Sequence, residues 1–112
     1  MTRTSQSAEP LYSALSVDPD LREMVDLFVE EMPQRIGNLL ARLDTSDWEG
    51  LRRAAHQLKG AAGSYGFGPI SPAAARVEDA IRKGSPEEEI RQAVDELIEL
   101  CGRARAGLPA ET

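Results

Sequence analysis

Cys101 is the only cysteine in the chain, so no internal disulfide and no multi-thiolate metal site can be built. Aromatic residues are scarce: one tryptophan, two tyrosines and two phenylalanines. Basic residues are the minority, 13 against 19 acidic ones, for a formal net charge of −6. A duplex nucleic acid or an anionic membrane would be repelled rather than attracted by that balance, and no long positive run overturns it. Long apolar runs are missing too. The opening MTRTSQSAEP has no secretory apolar stretch, and no segment approaches the length of a membrane span. The expected location is therefore the cytoplasm. Alternating strand patterns, hairpin turn chemistry, internal repeats and low-complexity tracts are absent as well.

What remains is rich in Ala, Leu, Glu and Arg, residues that lose little side-chain freedom in a helix. At 112 residues there is room for one domain around one hydrophobic core. Residues 1–10 are polar and read as a flexible tail, residues 108–112 as a C-terminal tail, and residues 11–107 as the folded domain. Leu11–Leu15 is expected to form a short turn of helix over one end of the core. Asp18-Pro19 then opens a long helix with a cap residue and a first-turn proline. Leu21, Val25, Phe28, Met32, Ile36, Leu39 and Leu43 continue one apolar stripe across Pro33. Pro33 either kinks this helix or divides two nearly collinear ones.

Ser46-Asp47-Trp48-Glu49 has a capping-box pattern, a hydroxyl followed three residues later by a carboxylate. It opens a helix running to about Tyr65, where Gly66 and Gly68 stop it. Ser71-Pro72 starts the next, with Val77, Ala80 and Ile81 inward and Gly84 at its end. Ser85-Pro86 starts the last, which carries Ile90, Val94, Leu97, Ile98 and Cys101 and fades near Gly107. Short connections favour antiparallel neighbours, so the expected fold is all-α: an antiparallel up-and-down four-helix bundle with a short N-terminal helical segment.

The unusual stretch is RRAAHQLKGAAGSYGFG, residues 52–68. At roughly 100° per residue, Leu51, Ala55, Leu58, Ala62 and Tyr65 share one direction, the core face. His56, the only histidine, points about 140° away from it, with Lys59 and Gly60 one turn on and Gly63 two turns on. Two glycines inside a helix cost about 1 kcal/mol each relative to alanine. On the histidine side they bare the backbone and let another surface approach the ring. A lysine one turn away can pair with an anion carried by the ring. Histidine offers an unprotonated ring nitrogen near neutral pH and is an accepted covalent nucleophile. Nucleophile, cation and cleared space are what phosphoryl capture asks for, since that chemistry depends on positioning and charge stabilisation.

His56-Gln57-Leu58-Lys59-Gly60, with Gly66 ten residues after the histidine, resembles the HxLKGxxxxxG signature of histidine-containing phosphotransfer (HPt) domains. The likeness extends in helix number and order from about Asp18 to Arg105. It implies a phosphorelay protein that accepts a phosphoryl group on His56 from a receiver-domain aspartate and passes it to another receiver. In that reading Lys59 stabilises the phosphoryl group and Gln57 is a polar neighbour of the site. Gly60 and Gly63 clear the docking face, and Arg52 helps to receive an acidic partner. The implied partners are response-regulator receiver domains and a hybrid sensor histidine kinase. The resemblance implies no autonomous kinase activity, and the chain shows no nucleotide-binding glycine loop. No cofactor is expected on the chain itself; magnesium would come with the receiver's acidic pocket.

Plainer readings stand beside these. A lone helical histidine is usually a surface or satisfied core residue, and Lys59, Arg52 and Arg53 alone would be solvated charges. Gly60 and Gly63 also suit close helix packing or a homodimer contact, although a monomer is the expectation. Trp48 seals the bundle end, and Cys101 is a small core residue. The alternative function is a non-phosphorylated adaptor of the same fold that docks on a sensor kinase or response regulator. A third is a helical interaction protein in which the motif is accidental. The exposed histidine of a kinase dimerisation helix pair normally precedes a different motif and an ATP-binding domain.

Overall fold

The computed structural model describes residues 9–108. The tails expected at 1–10 and 108–112 lie outside the described residues except for Glu9, Pro10 and Leu108. Among the described residues there are four α-helices: α1 (Arg22–Asp44), α2 (Trp48–Ser64), α3 (Ile70–Arg82) and α4 (Glu87–Gly102). A short strand, β1 (Leu11–Tyr12), pairs in parallel with β2 (Ala104–Arg105), Leu11 opposite Ala104. No described helix is long and apolar enough to cross a membrane.

The stripes read from periodicity meet in one core. Val25, Phe28, Met32, Leu39 and Leu43 of α1 are buried with Leu51, Ala55, Leu58 and Ala62 of α2. Val77 of α3 and Ile90, Val94, Leu97 and Cys101 of α4 complete it from the other side. Leu21, Ile36, Tyr65, Ala80, Ile81 and Ile98 are only partly buried. Phe67, between α2 and α3, is fully buried and stacks on Phe28 with ring centroids 5.4 Å apart. Tyr65 stacks on the same ring at 5.1 Å. Offset aromatic pairs add about 0.5–1.5 kcal/mol beyond their buried area, so three of the few rings are concentrated where α2 ends against α1.

α1 is one helix through Pro33. The missing amide leaves the Val29 carbonyl without its helical donor, and Pro33 itself is exposed, where water can replace the lost bond.

Four local expectations are corrected. Leu11–Tyr12 is extended and paired with the far end of the chain, and the 3-10 turns fall at Ala14–Val17 and Pro19–Leu21. Ser46 does not cap α2: it takes a left-handed φ of 56° and closes α1, its N–H bonding Leu43 O. The cap is Asp47, whose carboxylate accepts from Gly50 N–H at 3.0 Å and from Arg42 Nη1 at 2.8 Å. The Gly50 amide in particular holds the Asp47 carboxyl below its ordinary range. α3 begins at Ile70, so the Ser71 hydroxyl is free to bond elsewhere. α4 has Pro86 rather than Ser85 at its cap position and ends at Gly102, where β2 takes over.

The connection from α2 to α3 requires glycine at Gly66. Its φ is +83°, and a Cβ there would sit 2.5 Å from Ser13 Oγ and 3.0 Å from Ala14 N. Ala14 N–H bonds Gly66 O, and Ser13 Oγ donates to Tyr65 O at 2.5 Å. The N-terminal segment is thereby strapped to the end of the helix that carries His56.

Candidate functional site

α2 packs more extensively on α3 than on any other element. Ala55 and Ala62 of α2 and Ala73 and Ala74 of α3 are all buried, and small side chains allow two helix backbones to come close. A second tie is the Ser71 hydroxyl, which donates to Lys59 O at 2.8 Å. The face of α2 that carries His56 therefore lies beside α3 rather than standing alone in water.

His56 is exposed, with 60% of its side-chain surface open, yet its Nδ1 is 2.8 Å from Oε2 of Glu78 on α3. The Glu78 side chain is only 3% exposed. Lys59 Nζ donates to its other oxygen, Oε1, at 2.8 Å. Arg82 Nη2 donates to Oε2 at 3.0 Å, and Arg52 Nη1 stands 3.9 Å from it. Arg52 is held chiefly by Glu49 at 2.6 Å, and Arg82 also reaches Asp79 at 3.3 Å. A buried carboxylate without partners would become neutral. Here the hydrogen bond from Lys59 leads, against the opposing effect of burial, with the bond from His56 assisting. Together they hold the Glu78 carboxyl down at about 2.

An ionised carboxylate has no proton to give, so Nδ1 of His56 must be the donor in this pair. The neutral ring then carries its proton on Nδ1 and leaves the Nε2 lone pair free. Among the described residues no group bonds Nε2. It is the outward nitrogen of the ring, and the arrangement leaves it an open lone pair in a fixed tautomer with an ammonium nearby.

The structure brings His56, Lys59 and Arg52 together around Glu78. Gly60 is on the open face: a Cβ there would meet nothing within 4 Å. Gly63 is exposed too, but a Cβ there would lie 3.4 Å from Ser71 Oγ, in ordinary contact with α3. Gln57 is not brought to the cluster. It turns toward α1 and lines a polar recess with Asn38, Arg42, Asp47 and Arg53. Trp48 is half-buried at the start of α2, beside Ile81 and Ile90.

Glu78 was not singled out from sequence. Its signal was available: Ala74, Glu78 and Ile81 follow the helical spacing of the α3 stripe, so an acid occupies an apolar register. A charge in that position needs a partner from a neighbouring helix, and the only histidine is such a partner.

The model of the Hpt domain family matches residues 23–107 of the chain. No curated protein and no solved structure matches it.

Proposed function

The chain belongs to the Hpt domain family, whose role is histidine phosphotransfer in two-component signalling, and on that premise we propose that His56 is its phosphoacceptor. The observation that carries this reading is the pairing of an exposed His56 with the buried, ionised Glu78. Nε2 attacks the phosphorus of a receiver's aspartyl phosphate, the new P–N bond forming as the P–O bond to aspartate breaks. Lys59, already one turn away, shares its ammonium donors between Glu78 and the incoming phosphoryl oxygens. The reverse step delivers the group to the aspartate of another receiver. Gly60 gives that receiver access to the helix backbone beside the ring. Arg52 and Gly63 lie along the same docking face, and Gln57 touches the partner from the α1 side. Magnesium, where transfer requires it, is held by the receiver, and the carrier works as a cytoplasmic monomer.

The antiparallel up-and-down order belongs to the same proposal. It is supported by the way partners on α3 descend as those on α2 ascend, Arg52 and His56 meeting Glu78 and Lys59 meeting Ser71. The domain is taken to span residues 11–107, an extent supported by the pairing of Leu11 with Ala104.

The test is transfer of label from a phosphorylated receiver domain to wild type and to His56→Gln. Label on wild type that is acid-labile and base-stable once the chain is denatured, and none on a folded variant, is the expected result. A wild type that binds a receiver yet stays unlabelled with every one tried would favour the adaptor.

A further inference from the structure

Glu78 carries a full charge where a neutral amide of the same shape would also orient a ring. Its carboxylate lies 2.8 Å from Nδ1 of His56 and is 3% exposed. Once Nε2 is bonded to phosphorus, the ring is cationic if Nδ1 keeps its proton and neutral if it does not. A fixed anion at this range favours the cation. The two forms differ in how the P–N bond breaks. From the cation the bonding pair returns to Nε2 and leaves a neutral imidazole. From the neutral form the leaving group would be an imidazolate, which departs far less readily.

Resting on the phosphoacceptor role proposed for His56, we infer that Glu78 keeps the Nδ1 proton on the phosphorylated ring, so that the phosphoryl group stays labile and is passed on rather than stored. Glu78 acts here as a positioning residue, through the proton and not by touching the phosphoryl group. Loading forms P–N, breaks P–O, returns that electron pair to the donor carboxylate and leaves the Nδ1 proton in place. Unloading to an acceptor carboxylate, or to water, breaks P–N and restores the neutral ring with the same proton. When water is the acceptor, its own proton goes to solvent or phosphate. The groups facing the carboxylate are Lys59 and Arg52 from α2 and Arg82 from its own helix. Among the described residues α1 and α4 contribute no ion pair to it. The three cations moderate the pull on Nδ1, while the bond from Lys59 in particular holds the Glu78 carboxyl at about 2, so that it is ionised from neutral pH upward.

Phosphoramidate, a small-molecule donor, loads histidine without any receiver. The full chain and a peptide of residues 52–63, the unfolded reference, are loaded in this way. Loss of the phosphoryl group is then followed by phosphorus NMR as the pH is raised from neutral. Loss from the peptide slows as its ring gives up the proton. The full chain is expected to hold its neutral rate further into the alkaline range. Relative to its own neutral rate, its loss there should exceed that of the peptide by about tenfold or more, each pH unit being a factor of ten in protonated fraction. Glu78→Gln, with an unchanged circular dichroism spectrum, is expected to fall back to the peptide profile. Coincident profiles for the full chain and the peptide overturn the inference and leave the phosphoacceptor role standing. That comparison needs no variant and holds even if Glu78→Gln fails to fold. A full chain that phosphoramidate does not load on His56 overturns both readings.

Discussion

Glu78 also ties stability to pH. Its carboxyl sits at about 2 in the folded chain against an ordinary 4.5, chiefly because Lys59 bonds its ionised form. A depressed folded value means that its contribution is fully present above 4.5 and is lost as pH falls toward 2. Urea midpoints measured down this range should fall, and the Glu78→Gln variant should show a shallower decline there. A variant with the same acid dependence as wild type would remove Glu78 from the account. Cys101 gives a second residue-scale expectation. Burial pushes its thiol up to about 12, with Arg35 acting weakly the other way, and only 1% of the residue is exposed. The thiolate is the reactive species, so maleimide labelling should be negligible in the native chain and rapid in denaturant. Fast native labelling would show that α4 opens readily at its C-terminal end.

At the scale of elements, the joints of the helices separate glycines with different duties. Gly66→Ala is expected to destabilise by about 2 kcal/mol or more, since a left-handed backbone and the contact with Ser13 both oppose a Cβ. Gly60→Ala should instead raise stability by about 0.5–1 kcal/mol, because it adds a methyl in open space inside a helix. The same variant should slow transfer from a receiver, its methyl standing where the partner approaches. Thermal melts and transfer kinetics on the two variants separate these effects, and faster transfer by Gly60→Ala would refute the docking role. Ser46, a non-glycine residue at φ 56°, predicts a gain of about 1 kcal/mol for Ser46→Gly in the same melts. No gain would mean that the Ser46 side chain compensates for its backbone.

The apolar stripes of α1, α2 and α4 were legible because burial repeats with the helical period; on α3 only Val77 of the three residues expected inward is buried, and Ile70, Ala73 and Ala74 fill the face instead. The outward histidine and its glycines were legible for the same reason. The joints were not. Whether Ser46 or Asp47 caps α2 depends on how α1 closes, a tertiary outcome to which the capping-box pattern is blind. The strap was invisible because two residues of strand carry no period, and their partners stand at the other end of the chain. Glu78 escaped because reading stripes means looking for apolar residues. The acid that fixes the histidine is on the stripe as the exception.

At the scale of the whole molecule, the parallel pair of Leu11–Tyr12 with Ala104–Arg105 places the entry and exit of the folded unit side by side. The fold is topologically close to a ring. A short linker across that seam, with a cut at the exposed Lys83–Gly84 turn between α3 and α4, would yield a circularly permuted chain with every helix and the His56–Glu78 pair intact. The same adjacency keeps the two connections close, so the unit can be inserted into a surface loop of another protein, although the parallel pairing makes them run out in opposite directions.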